Sequence, residues 1–179
     1  MKKFSKFILK CLGWNTDVNV PDIDKVVICL APHTSNWDFV IGRLYYSALG
    51  LKVAFLIKKE WLRPPLGSWM RSLGAIPVDR SKKNSLTDQL AAHFKESSRM
   101  HLAITPEGTR KPNPNWKLGF YYIAKKAGVP ILPVALDYKR KEAIVFDLFY
   151  PGDDEEKDIA YIKSLYKDVK GKRPENFVL

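Results

Sequence analysis

Cysteine is nearly missing from this chain of 179 residues: Cys11 and Cys29 are the only two. Neither belongs to a closely spaced Cys/His set, which excludes a disulfide framework and offers no metal site. Both fit as small apolar residues in a reducing compartment. Long hydrophobic runs are equally scarce. The most apolar stretch, 41–57, is broken by Arg43, Gly50 and Lys52, so it reads as helix, turn and strand rather than a membrane crossing. The N-terminus lacks a signal-peptide core, because lysines are spread through it and Gly13-Trp14-Asn15 stands where apolar residues should continue. No internal repeat, low-complexity tract or linker is present, which leaves one domain.

Negative charge is short as well. Lys and Arg number 30 against 19 Asp and Glu, a net charge of +11. Residues 151–179 hold six basic and seven acidic side chains, so the positive excess lies entirely on residues 1–150. Such a field attracts phosphorylated small molecules, anionic lipid or nucleic acid. No nucleic-acid motif accompanies the charge, and that reading ranks last. Apolar residues at 46% and charged residues at 27% describe a globular chain and exclude disorder.

What is there alternates between two periods. Short apolar runs at 25–31, 52–57, 75–78, 101–105, 131–136 and 143–149 read as strands. Helical spacing occupies 35–49, 59–73, 84–100, 117–126 and 155–169, the second interrupted by Pro64-Pro65 and the third opened by Ser85 and Asp88 in a capping box. Ser35 or Asn36 is the expected N-cap of the first. Strands alternating with helices predict a single α/β domain with a largely parallel central sheet flanked by helices. Residues 2–14 form a separate basic helix. Phe4, Phe7, Ile8, Cys11 and Leu12 lie on one side, with Lys2, Lys3, Lys6 and Lys10 largely on the other. This pattern suits an interfacial anchor on anionic lipid, the alternative being a helix docked on the domain's own core.

Three polar motifs fall at strand ends, the edge where open α/β sheets bind ligands. His33 follows the first strand and Asp38 opens the next helix. On one continuous helix a spacing of five separates faces, but at a strand-to-helix corner the carboxylate can reach the imidazole. His33 then acts as a base and Asp38 fixes its tautomer. Pro106-Glu107-Gly108-Thr109-Arg110 follows the fourth strand. Gly108 permits a tight turn, Arg110 can grip a phosphate through two parallel hydrogen bonds, and Glu107 could hold that arginine or meet a substrate hydroxyl. Asp79-Arg80 supplies a further cation. His93 and His101 belong to no motif and read as surface or packing residues.

These segments resemble the signature blocks of the glycerolipid acyltransferases, typified by the lysophosphatidic acid acyltransferases. Pro32-His33-Thr34-Ser35-Asn36-Trp37-Asp38 is similar to their N-H-x-S-x-x-D block, and Gly74–Arg80 to their second. Thr105–Arg110 resembles F-P-E-G-T-R, and Val129-Pro130-Ile131-Leu132-Pro133-Val134 resembles V-P-I-x-P-V. The four occur in family order over residues 25–136. Pro32 replaces the usual Asn, Thr105 the usual aromatic, and Pro112-Asn113-Pro114 follows where Ser is common.

The resemblance implies a glycerol-3-phosphate acyltransferase-like fold and an acyltransferase domain over 15–179. It implies transfer of a fatty acyl chain from acyl-CoA or acyl carrier protein, with no cofactor, to the free hydroxyl of a lysophospholipid, 1-acylglycerol-3-phosphate first. His33 would be the general base and Asp38 its partner. Arg80, Glu107, Gly108, Thr109, Arg110, Lys117 and Gly119 would bind the acceptor, and Pro133 would shape the donor site. Backbone N–H groups at the start of helix 35–49 are candidates for the oxyanion. A peripheral protein on the cytoplasmic face of the membrane is the implied setting. Acylation of another lyso-lipid, or anionic-lipid binding without turnover, are the competing readings.

Overall fold

The computed structural model describes residues 1–58, 60, 66–78 and 86–179. Pro64-Pro65, Arg80 and Ser85 lie outside the described residues, and with them the expected interruption of the second helix, one candidate site residue and half of the capping box.

Among the described residues, six strands form one sheet: β1 (Lys25–Leu30), β2 (Ala54–Lys58), β3 (Ala75–Val78), β4 (Met100–Ile104), β5 (Ile131–Asp137) and β6 (Glu142–Val145). Their order is β3-β2-β4-β1-β5-β6. All pairings are parallel except β5 with β6, which is antiparallel. The expected largely parallel α/β sheet is therefore present. The helices are α1 (Lys2–Cys11), α2 (Trp37–Leu49), α3 (Leu66–Ser72), α4 (Leu86–Glu96), α5 (Gly119–Ala127) and α6 (Glu155–Ser164).

Side chains alternate across β1 and divide the core in two. Val27, Cys29 and Ala31 face a layer carrying Leu90 and Phe94 of α4, Phe120 and Ile123 of α5, and Ile162 with the following Tyr166. Val26 and Ile28 face the other way, toward α2 and the apolar segment leading into β1. Burial of both faces is what a near-continuous apolar strand such as VVICLA encodes.

Three expected elements end early. The helix expected over 84–100 stops at Glu96, because Met100 already opens β4. The last helix stops at Ser164 rather than 169, yet Tyr166 and Val169 are still buried, because a run of turns carries the apolar pattern onward. β6 stops at Val145, and Phe149 returns to the sheet only through an isolated bridge to Ile131.

Helix α1 is neither free nor fully docked. Ser5 and Leu9 are buried, Ser5 Oγ donates to Ser47 Oγ of α2 at 2.8 Å, and Leu9 joins Trp14, Ile41 and Tyr45 in a small core. Phe4 and Phe7 remain 67% and 64% exposed. His101 is a packing residue: its Nε2 donates to the Ile23 carbonyl at 2.7 Å and Tyr46 donates to its Nδ1 at 3.3 Å. Its burial pushes the imidazole pKa down. His93 is exposed on α4.

Candidate active site

β4, β1 and β5 are adjacent strands, and the site is assembled where their C-terminal ends meet. The corner after β1 carries His33 through Asn36 into α2. There His33 Nδ1 lies 3.1 Å from Asp38 Oδ2, the contact that the corner geometry allows and a continuous helix would not. The same oxygen accepts the backbone N–H groups of Thr34 and Ser35, each at 2.9 Å. Asp38 is fully buried, whereas the His33 side chain keeps 19% of its surface. A base with its outer edge open and its partner sealed behind it can take a proton from a bound molecule without its carboxylate meeting water.

These bonds bear on the oxyanion donors expected at the start of α2. The backbone N–H groups of Thr34 and Ser35 serve Asp38, that of Trp37 bonds Ser35 Oγ at 3.2 Å, and that of Asp38 bonds the Ser35 carbonyl at 3.3 Å. Those four amides are engaged in holding the corner.

The loop after β4 comes in beside this corner because Cys29 and Ile104 are register partners. Glu107 Oε1 accepts the His33 backbone N–H at 2.8 Å. Glu107 is 3% exposed, and among the described residues its Oε2 has no hydrogen-bond partner. Burial raises its carboxyl pKa, against the opposing hydrogen bond from His33. Glu107 therefore does not hold Arg110, as the sequence allowed; it staples two segments together. Arg110 instead donates through Nη1 to Asn36 Oδ1 at the start of α2 and is exposed.

Gly108 has φ +63, and a Cβ there would lie 2.9 Å from Lys117 Cδ. The glycine thus supplies both a left-handed turn and room for Lys117 to cross it. Thr109 Oγ1 accepts the Lys111 N–H at 3.2 Å. Gly119 begins α5, with open space where a Cβ would stand. His33, Asp38, Glu107, Gly108, Arg110 and Lys117 are brought together by these contacts. Pro133 is buried within β5 opposite Cys29. By strand alternation it faces the α4–α6 side, with Ile131 and Ala135 of the same core.

Two partners of the corner were not visible in the sequence. Tyr138, just past β5, donates its hydroxyl to Asp38 Oδ1 at 2.8 Å. The chain after α6 closes the back of the corner, where the Arg173 N–H bonds Thr34 Oγ1 at 3.2 Å. A Cβ on Gly171 would meet that oxygen at 2.8 Å, so the approach needs glycine. No spacing rule links position 138 to position 38; only the placement of β5 beside β1 does.

On the α2 side of the sheet lies an apolar cavity of about 80 Å³, with Asp38 and Phe39 in its wall. Ile28, Gly42, Val134 and Leu136 are among its walls.

This geometry has relatives. A family model described as Acyltransferase matches residues 15–137. The chain belongs to the acyltransferase family. Among curated members, the 1-acyl-sn-glycerol-3-phosphate acyltransferase of Streptococcus pneumoniae is 33% identical over 121 residues, which is 67% of this chain and 44% of that protein. A chloroplastic 1-acyl-sn-glycerol-3-phosphate acyltransferase of Brassica napus, BAT2, is 27% identical over 151 residues, covering 75% of this chain and 43% of that one. The chain thus spans less than half the length of the curated relatives it matches. The crystal structure of the 1-acyl-sn-glycerophosphate acyltransferase PlsC of Thermotoga maritima superposes with a TM-score of 0.65 at 20% identity. That match covers 93% of this chain and 75% of the other, and it shows that the acyltransferase fold is shared.

Proposed function

We propose that this acyltransferase moves a fatty acyl chain from an acyl thioester to the free hydroxyl of 1-acylglycerol-3-phosphate, giving phosphatidic acid. The observation that carries the reading is the His33–Asp38 contact at 3.1 Å, in a family member whose curated relatives bear that activity in their names.

His33 Nε2 takes the acceptor's hydroxyl proton while Nδ1–H is held on Asp38. The oxygen attacks the thioester carbonyl and forms the new C–O bond. Collapse of the tetrahedral intermediate breaks the C–S bond, and the leaving thiolate recovers the proton from His33. Such general-base assistance contributes about 10²–10⁴ in rate. No cysteine enters the step. Cys29 is buried, and burial raises its thiol pKa far above the ordinary range; Cys11 lies on α1.

Arg110 and Lys117, both exposed beside the corner, are suited to the acceptor's phosphate. Arg80 is assigned the same task on its place in the second block alone. The cavity with Asp38 in its wall is apolar throughout its accessible surface and is the place assigned to the start of the acyl chain, whose carbonyl must lie next to His33. Coenzyme A and acyl carrier protein are both admissible carriers of that chain.

Access to a lyso-lipid requires contact with a bilayer. Among the described residues no helix is long and apolar enough to cross one. The exposed Phe4 and Phe7 of α1, beside Lys3, Lys6 and Lys10, support peripheral attachment to anionic lipid, which is the composition of a cytoplasmic membrane face.

The test is incubation of the purified protein and vesicles with lysophosphatidic acid and a palmitoyl thioester on each carrier, with His33→Ala alongside. Phosphatidic acid from the wild type and not from the variant is expected. Product from both proteins removes His33 as the base. Product with a different lyso-lipid, and none with lysophosphatidic acid, moves the acceptor assignment.

A further inference from the structure

We propose that Tyr138 is a positioning residue of the transfer reaction: its hydroxyl fixes the outer oxygen of Asp38 so that the inner oxygen stays on His33. The inference rests on His33 as base, as argued above, and adds a third member from outside all four signature blocks.

Counting donors to Asp38 makes the case. Oδ2 takes Thr34 N–H, Ser35 N–H and the imidazole. Oδ1 takes Tyr138 at 2.8 Å. Asp38 is fully buried, so without that hydroxyl one carboxylate oxygen would lie in the interior with no donor from a side chain or from the corner. The carboxylate could then rotate and trade its oxygens between the corner amides and the ring. With Tyr138 in place, both oxygens are assigned and the imidazole has one partner in one direction.

Tyr138 is itself held for this task. It lies in the short loop joining β5 to β6, where Asp137 Oδ1 accepts the N–H groups of Lys139 and Arg140 at 2.8 and 3.0 Å. Its own N–H donates to the Lys170 carbonyl at 2.8 Å. The ring stands edge-on to Trp14, with centroids 4.9 Å apart and planes at 85°. The Lys141 ammonium lies 5.9 Å from its centroid. Burial first, and then the Asp38 carboxylate, push the phenol pKa up, so the donor proton stays on the tyrosine throughout the working pH range.

The same bond moderates the base. A hydrogen bond to Asp38 spreads its negative charge, and removing it strengthens the carboxylate's hold on an imidazolium. The other ionisable groups around the corner come from separate elements. They are Glu107 from the loop after β4, Arg110 at Asn36, Lys117 against Gly108, Arg173 beside Thr34, Arg43 in the cavity wall along α2, Lys141 over Trp14, and Lys172 with its Nζ 4.6 Å from the Trp37 ring centroid. None of them bonds the Tyr138 hydroxyl, so its deletion leaves them in place.

Tyr138→Phe keeps the ring and its contact with Trp14 while deleting one hydroxyl. Assayed with lysophosphatidic acid and palmitoyl thioester in vesicles, its kcat falls about tenfold with KM within about twofold of wild type. The acid limb of its kcat/KM profile moves to higher pH. A 3-fluorotyrosine at position 138, a stronger donor of nearly the same shape, moves that limb the opposite way and guards against a folding defect in the phenylalanine variant. Wild-type kcat and an unmoved limb in Tyr138→Phe, with His33→Ala inactive, overturn the proposal and leave the base assignment standing. A change confined to KM overturns it in favour of substrate contact. Activity in His33→Ala overturns both.

Discussion

The Glu107 carboxylate accepts the backbone N–H of His33 at 2.8 Å. This bond ties the first signature block to the third across 74 residues of sequence, and it gives Glu107 a structural task beside the substrate contact expected of it. The side chain is buried with one oxygen unpartnered among the described residues, an arrangement that is costly when the group is ionised.

That cost sets a pH dependence. Burial raises the Glu107 carboxyl above its ordinary value in the folded protein. A raised folded-state pKa favours the native state at pH below the unfolded pKa, and this advantage is lost as pH rises through the folded value. Glu107→Gln retains an oxygen for His33 and removes the ionisation. Its thermal midpoint therefore gains on the wild type as pH rises from the acid range to neutrality. Its kcat stays close to wild type, whereas Glu107→Ala, which strips the His33 amide of its acceptor, loses about 1–3 kcal/mol of stability and activity with it. Melting curves over pH with matched kinetics check both. Equal kcat losses in the two variants would return Glu107 to direct substrate binding.

Asp38 and His33 separate by the same pairing of melts and kinetics. Asp38→Asn presents one acceptor and one donor to a pocket built entirely of donors. It loses about 10²–10⁴ in kcat and also about 1–3 kcal/mol of stability. His33→Ala matches the kinetic loss with little change in melting temperature, because its ring is part exposed and its backbone bond to Glu107 survives. A destabilised His33→Ala would mean that the imidazole holds the corner together rather than serving it.

Phosphate recognition reads out at Arg110. Arg110→Ala lowers kcat/KM about 10- to 100-fold on lysophosphatidic acid, the range for losing a charge-assisted hydrogen bond. It leaves an acceptor without a phosphate monoester unchanged. Equal losses on both acceptors would assign Arg110 to the corner through Asn36 alone.

The helices and strands were readable because each carries one clear period, and the parallel sheet followed from their alternation. His33 and Asp38 were readable because both lie in one short segment whose corner geometry is local. Tyr138, Thr34 with Gly171, and the true partner of Glu107 were not. Each depends on which strands are neighbours, and the placement of β4 and β5 on either side of β1 is set by packing over the whole sheet. Arg110 shows the same limit on a smaller scale: the sequence supplied the guanidinium, but its neighbour Asn36 is 74 residues away.

Helix α1 is divided between folding and surface tasks. Leu9→Ala, at a fully buried position, costs about 2–5 kcal/mol. The double variant Phe4→Ala/Phe7→Ala leaves the melting temperature within about 2 °C, since both rings stand in solvent. It loses sedimentation with vesicles containing anionic lipid. Vesicle binding that survives the double variant would move the membrane contact away from α1.

Gly42 offers the cleanest test of the acyl cavity. It lines the cavity within α2, and a Cβ built there meets nothing within 4 Å. A methyl group at this position therefore enters open space instead of displacing neighbours. Glycine inside a helix is about 1 kcal/mol less favourable than alanine, so Gly42→Ala is expected to melt higher than the wild type. Gly42→Leu fills more of the same space. If the cavity receives the acyl chain, Gly42→Leu lowers kcat/KM for palmitoyl thioesters far more than for short-chain donors, without loss of stability. Kinetics over a series of donor lengths check this. A uniform loss at every length, or none, would mean that the chain lies elsewhere and that the cavity is only a packing defect beneath α2.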